Sequence, residues 1–268
     1  MINSPKIGIF DSGLGGLTVF KSLKKKFPFC SFIYLGDLAH LPYGDKSSSS
    51  IISYSKKIVE FFLKNKVDLI VVACNSASSV ALKTLKKDYL DVDIIGVINP
   101  SVDLSIQFSK TQSIGLIGTQ TTINSKSYNK RFSSLTGKQF KLHTISCPLF
   151  VPIVEEGWED TNIAYQIATK YLIYFNNTNI DTVILGCTHY PMLINTLKSA
   201  FKKLGHKKLK FIDCGDAVTL YLESRIKLDE SYSNQSDQFY VTDSSHQFNE
   251  LASKFLGYDI SEIKIISL

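Results

Sequence analysis

The chain of 268 residues has no apolar run approaching the ~18 residues that would cross a bilayer, which excludes a helical membrane protein. Its opening, MINSPKIGIFDSG, has no charged head followed by an apolar middle and so lacks the layout of a secretory leader; a cytoplasmic protein is expected. Cysteine is scarce, with an odd five spread over Cys30, Cys74, Cys147, Cys187 and Cys214. That is not a disulfide framework. None of the five forms a CxxC, so no metal is expected. Neither GxGxxG nor a GxxxxGK followed by Ser or Thr occurs, which disfavours nucleotide binding. No helix-turn-helix pattern or RNP signature accompanies the lysine clusters at Lys24 to Lys26, Lys86 to Lys87 and Lys202 through Lys210. They supply much of the formal charge of +6 and read as solvated helix faces, so no nucleic-acid partner is expected.

What is present is an ordinary globular composition, 44% hydrophobic and 20% charged, long enough for one large domain or two smaller ones. Strand-like apolar runs alternate with helix-period segments, the pattern of an α/β protein with parallel sheets. Lys6–Phe10 reads as a strand ending at Asp11, and Ser31–Leu35 as a strand ending at Asp37. Between them Val19, Phe20, Leu23 and Phe27 mark one face of a helix. Ile51, Ile52, Ser55, Ile58, Val59 and Phe62 mark a second helix, which leads to an apolar run ending at Cys74. Ile94–Ile98 is a further strand, stopped by Asn99-Pro100.

From about residue 112 the order repeats. SIGLIGT at 113–119 echoes KIGIFDS, and a helix follows with Tyr128, Phe132 and Leu135 on one face. FKLHTISC at 140–147 echoes the second strand, and PLFVPIVEEGWED is expected to be a loop. A helix with Ile163, Ile167, Tyr171, Leu172 and Phe175, capped by Asp160 or Thr161, leads into IDTVILGCTHYP at 180–191, the counterpart of VDLIVVACNSAS at 67–78. These matches predict two pseudo-symmetric, flavodoxin-like α/β units with mostly parallel sheets and a site in the cleft between them. The strand QFYVT and a helix bearing Phe248, Leu251, Ala252 and Phe255 lie outside the repeat and are expected to pack back on one half. The division expected is 1–98 plus 210–268 for the first domain and 99–209 for the second.

The strand ends carry Asp11-Ser12, Asp37, Cys74-Asn75-Ser76, Thr119 and Cys187-Thr188-His189, with Glu155 in the long loop. A buried parallel sheet has no structural need for polar groups there, whereas a ligand at its carboxyl edge does. GLGG at 13–16 is expected to turn amide groups toward a carboxylate or phosphate. Cys30, Cys147 and Cys214 fit the description of small buried hydrophobes. Cys74 and Cys187 occupy the same place in both halves, and a thiol at a strand-to-helix turn is expected to gain thiolate character. Two equivalent thiols on opposite sides of one small ligand suit inversion of a carbon centre, one sulfur removing a proton as base and the other supplying one as acid. Asp11 beside Cys74 and His189 beside Cys187 are placed to take up or return the thiol proton. Asp11 and Glu155 equally fit helix-capping carboxylates, and His189 fits a satisfied turn histidine.

FDSGLGG, PYG at 42–44, ACNSAS, IGTQTTINSKSY at 117–128 and GCTHYP resemble, in this order and over nearly the whole chain, the glutamate racemases of the aspartate/glutamate racemase superfamily. The resemblance implies a cofactor-independent two-base racemase that supplies D-glutamate to peptidoglycan and closes two domains within a homodimer. It implies that Cys74 serves D-glutamate and Cys187 serves L-glutamate as proton acceptor. Asp11, Ser12, Pro42, Tyr43, Gly44, Asn75, Ser76, Thr119, Thr122, Thr188 and His189 would hold the substrate. Ser78 after CNSA and His189 after GCT are similar to the glutamate branch, while aspartate racemases look more like CNTAH and GCTE. Ser76 stands where threonine is usual in the family, and His40 where an arginine is expected. Other readings of the same residues are a racemase for aspartate or a related acid, and a thiol-pair redox or ligand-binding protein that transfers no proton.

Overall fold

The principal apolar runs are strands in the computed structural model, which describes residues 2–3, 5–137, 139–227, 236–243, 248–260 and 262–268. The first half contains β1 (Ile2–Asn3), β2 (Lys6–Asp11), α1 (Leu17–Lys26), β3 (Ser31–Gly36), α2 (Ser48–Lys64), β4 (Leu69–Val72), α3 (Asn75–Val80), α4 (Leu82–Asp88) and β5 (Asp93–Gly96). Then follow α5 (Ile98–Phe108), β6 (Ser113–Gly118), α6 (Gln120–Asn124), α7 (Ser127–Thr136), β7 (Lys141–Ser146) and α8 (Phe150–Glu155). Next are α9 (Asn162–Leu172), β8 (Thr182–Gly186), α10 (Ile194–Lys203) and β9 (Lys210–Ile212). The tail holds α11 (Cys214–Glu223), β10 (Ile226–Lys227), β11 (Gln238–Val241), α12 (Phe248–Leu256) and β12 (Lys264–Ile265).

Two main sheets result, ordered β12-β11-β3-β2-β4-β5 and β7-β6-β8-β9, beside a two-stranded β1-β10 sheet, with every strand pair parallel among the described residues. Numbered within each half, β3-β2-β4-β5 and β7-β6-β8-β9 both run 2-1-3-4, the doubly wound order of flavodoxin-like folds. Parallel strands covered on both faces must be apolar throughout, and β4 and β8 are buried at every position. The four aliphatic side chains of β4 each contribute about 1.5–3 kcal/mol of burial. One apolar cluster joins the halves, running from Ile9 and Phe20 to Ile117, Phe150 and Leu185. A second cluster packs β2, β3 and β4 against α2, α3 and α4, and a third packs β6, β8 and β9 against α5, α7 and α11. No helix among the described residues is long and apolar enough to cross a membrane.

The tail extends the first sheet: β11 pairs with β3, β12 pairs with β11, and α12 packs on α1. The expected boundary at 210 misplaces β9, whose residues pair with Thr182–Ile184 of β8 in the second sheet. A three-residue strand leaves too short an apolar run to show which sheet it joins. Ile94–Ile98 is also not all strand; β5 stops at Gly96 and Ile98 opens α5. Pro100 lies in the first turn of that helix, where its missing N–H has no intrahelical acceptor to lose. The expected loop at 148–160 contains α8, again with a proline, Pro152, in the first turn. Thr161 rather than Asp160 caps α9, accepting from Ala164 N at 3.3 Å. Two expected core residues face outward: Leu135 is 48% exposed and Ile163 51%. The buried face of α9 is instead Ala164, Ala168 and Leu172, offset by one position, where small residues let the helix approach the sheet.

Candidate active site

In a 2-1-3-4 sheet the connections diverge between strands 1 and 3, opening a crevice at their carboxyl ends. Those strands are β2 and β4 in the first half, followed by Ser12 and Cys74, and β6 and β8 in the second, followed by Thr119 and Cys187. All four residues line one cavity. Its volume is about 130 Å³, close to the ~150 Å³ cavity that takes up one benzene, so it suits one small molecule rather than a polymer.

Twelve of the residues singled out in the sequence line this cavity: Ser12, Pro42, Tyr43, Gly44, Cys74, Asn75, Ser76, Thr119, Glu155, Cys187, Thr188 and His189. Asp11 and Thr122 do not. Asp11 is fully buried behind the wall, accepting from Thr188 Oγ1 at 3.3 Å and Gly13 N at 3.2 Å. Thr122 stands behind Thr119, whose hydroxyl donates to it at 2.9 Å. Val151 and Pro152 of α8 complete one wall; a segment read as loop gave no signal for them.

Cys74 is the N-cap of α3; its Sγ accepts from Ala77 N at 3.5 Å and its thiol donates to Ser12 Oγ at 3.7 Å. Cys187 lies 3.9 Å from His189 Nδ1, and the other ring nitrogen is 3.3 Å from Glu155 Oε1 without the alignment of a hydrogen bond. The edge of Phe255, from the tail helix α12, meets the His189 ring at 5.6 Å between centroids. Glu155 closes α8 rather than sitting in a loop.

Burial dominates the electrostatics. It pushes the Cys74 thiol up to about 12, the Asp11 carboxylate adding to the shift, while the Ala77 amide and Ser12 oppose it. Cys187 is raised well above the usual thiol range, again chiefly by burial and then by Asp11, Cys74 and Cys214, against the opposing His189 amide. The thiolate character expected at the strand-to-helix turns is therefore overridden, because a six-residue helix and a short 3-10 turn offset less than complete desolvation costs. Burial thus favours the protonated thiol at both sulfurs. Asp11 is itself raised by burial, with His189, the Gly13 and Gly16 amides and Thr188 opposing. The Gly13 and Gly16 amides of GLGG thus serve Asp11.

Hydrogen bonds tie the halves together around the cavity. Ser76 and Thr119 hydroxyls meet at 2.9 Å, and Thr121 Oγ1 donates to Gly44 O at 2.7 Å. On the far side Thr18 Oγ1 is 3.2 Å from Thr188 O. Gly15 permits this approach: a Cβ there would stand 2.6 Å from His189 Nδ1 and closer still to Thr188 Oγ1. Tyr43 is held from behind by Asp37, a buried residue not assigned to the site from sequence, whose Oδ2 accepts the phenol proton at 2.5 Å. Thr242 of the tail donates to the same carboxylate at 2.8 Å. His40 pairs with it at 2.9 Å and stacks on Tyr54. Among the described residues no group of three or more His, Cys, Asp or Glu gathers as a metal site.

The chain is similar to known racemases over almost its full length. It is 44% identical to the glutamate racemase of Sulfurihydrogenibium sp. over 260 residues, covering 97% of this chain and 96% of the relative. Glutamate racemase from Francisella tularensis in complex with D-glutamate superposes with a TM-score of 0.89 at 31% identity, covering 98% of both chains. Glutamate racemase from Aquifex pyrophilus does so with a TM-score of 0.80 at 40% identity, over 96% of this chain and 98% of its own. The family described as Asp/Glu/Hydantoin racemase matches residues 21–221. On this likeness and the doubled fold, the chain belongs to the Asp/Glu/hydantoin racemase family.

Proposed function

We propose that the chain is a glutamate racemase in which Cys74 and Cys187 act as the two bases. One observation carries the proposal: the two thiols follow equivalent strands of two like-ordered sheets and line the same cavity. From L-glutamate, the Cys187 thiolate takes the Cα proton, forming an S–H bond as the C–H bond breaks. The Cys74 thiol then gives its proton to the opposite face, leaving a Cys74 thiolate and D-glutamate. The reverse reaction exchanges the roles. No electron is gained or lost, and the steps call only on groups of the chain, so no cofactor enters.

A thiolate must first be generated from thiols that burial holds neutral. His189, whose Nδ1 is 3.9 Å from Cys187, takes that proton, and Glu155 lies beside its far nitrogen. On the Cys74 side the nearby groups are Ser12, in contact with the sulfur, and the buried Asp11 carboxylate. The substrate ammonium brings a positive charge into the desolvated site, and a nearby opposite charge favours the thiolate. Among the described residues no Lys or Arg lines the cavity. The substrate carboxylates are accordingly held by hydroxyls and amides of Ser12, Asn75, Ser76, Thr119 and Thr188. Asp11 acts from behind through Thr188, and Thr122 through Thr119.

We place the enzyme in the cytoplasm as a homodimer whose D-glutamate enters peptidoglycan. In deuterated buffer the purified chain should bring D- or L-glutamate to zero optical rotation while deuterium enters Cα, and Cys74→Ala and Cys187→Ala should each abolish turnover in both directions. Inert glutamate would overturn the proposal, and faster turnover of aspartate would move the substrate. A reversible Cys74–Cys187 disulfide with no Cα exchange would replace racemization with a redox role.

A further inference from the structure

Behind the cavity wall the Asn75 side chain meets a set of buried polar groups, Tyr128 and Cys214 among them, that the reaction above does not use. The Asn75 side chain, one residue after Cys74, accepts the Tyr128 hydroxyl proton on Oδ1 at 2.7 Å. Its Nδ2 donates to Cys214 Sγ at 3.5 Å. The Cys214 thiol has a single proton, and Leu185 O at 3.2 Å is a closer acceptor than Asn75 Oδ1 at 3.7 Å. The polarity of the chain is then fixed: Tyr128 donates to Asn75, Asn75 to Cys214, and Cys214 to the carbonyl two residues before Cys187. Ser101 Oγ lies 3.4 Å from the sulfur but gives its own proton to Val97 O at 2.8 Å.

Asn75, Tyr128, Cys214 and Leu185 are each at most 3% exposed, so none of these bonds is exchanged for water. They come from α3, α7, the first residue of α11 and β8, and so bridge both halves. Turning the Asn75 amide over would set its NH₂ against the Tyr128 hydroxyl and its oxygen against the sulfur. The thiol would then have to donate to Asn75 and release Leu185. In the orientation that keeps the thiol on Leu185, the turn after Cys74 is tied to the strand before Cys187.

We propose that Cys214 and Tyr128 are positioning residues that, through the Asn75 amide, fix the turn carrying Cys74 against the strand carrying Cys187 and so hold the spacing of the two thiols. The inference rests on the two-thiol racemase reading. Burial of Cys214 beside both sites agrees with its place among the groups that act on Cys187 and Tyr128.

The test compares full-length Cys214→Ala, Cys214→Ser and Tyr128→Phe with the wild type, measuring kcat and KM in both directions, the isotope effect with 2-deuterated glutamate, and the thermal midpoint. Misplaced catalytic groups slow the chemical step, so Cys214→Ala should lower kcat about 10- to 100-fold in both directions with KM little changed and a larger isotope effect. Cys214→Ser, which keeps one donor and an acceptor, should recover most of the rate, and Tyr128→Phe should fall between. If Cys214→Ala does not fold, the other two variants decide. Wild-type kcat and isotope effect in Tyr128→Phe and Cys214→Ala, or a change confined to the thermal midpoint, would overturn the proposal. A wild-type chain that leaves glutamate unchanged would instead overturn the two-thiol reading, and with it the spacing that these residues are proposed to hold.

Discussion

Gly15→Ala should damage the site from outside the cavity. Gly15 is not among the lining residues, and its backbone does not have the positive φ that would strain an alanine. The effect is therefore one of space alone. The new Cβ would start 2.6 Å from His189 Nδ1 and 2.7 Å from its Cε1, inside the 3.0 Å that real Cβ contacts respect, and nearer still to Thr188 Oγ1. Thr188 is pinned by the Asp11 carboxylate and by Thr18, while His189 sits between Cys187 and Glu155. Overpacking of this kind costs about 1–3 kcal/mol, which for a chain of this size lowers the thermal midpoint by about 2–10 °C. Displacement of His189 and Thr188 by a fraction of an ångström to one ångström should cost about 10- to 100-fold in kcat/KM. Circular dichroism of glutamate under turnover, with the melting curve of the same sample, reads both. A Gly15→Ala enzyme that racemizes at the wild-type rate would refute the reasoning, because the turn 187–189 would then tolerate the shift.

Three further outcomes follow from the same geometry. Alkylation of Cys74 by iodoacetamide, followed by mass spectrometry without substrate, should be slow at neutral pH. It should keep rising past pH 9.0 toward about 12, since burial favours the protonated thiol; a plateau near pH 9 would contradict this. Tyr43→Phe removes the donor to the buried Asp37 carboxylate and should cost about 1.5–3 kcal/mol in denaturant unfolding, with a higher KM because Tyr43 lines the cavity. Ser76→Ala breaks the hydroxyl contact to Thr119 across the cleft and should cost about 0.5–1.5 kcal/mol and raise KM more than it lowers kcat; unchanged KM would count against a role in binding.

The strand framework was legible because buried parallel strands must be continuous apolar runs, and the echo of 67–78 in 180–191 showed two such frameworks. The two cysteines could be singled out for the same reason, as one position occupied twice. Short elements were not legible: α8 hides behind two prolines, and β9 offers only three residues. Helix faces slipped by one position where alanine rather than isoleucine packs inward, as at Ala164 and Ala168. Asp37 stood out as a polar strand end, but its hold on Tyr43 did not, and its partner Thr242, 205 residues away, is brought to it by the tail strand. Cys214, which fits a small buried hydrophobe by sequence, sits in a polar chain because Asn75 is 139 residues distant. The thiol shifts were read with the wrong sign, since a sequence shows a helix start but not how completely water is removed from it.

The most direct measurement of the central claim is a crystal structure of the chain with glutamate bound. The account predicts the Cys74 and Cys187 sulfurs on opposite faces of the substrate Cα, each in contact with it. Both sulfurs on one face, or either one directed away from the bound carbon, would contradict it.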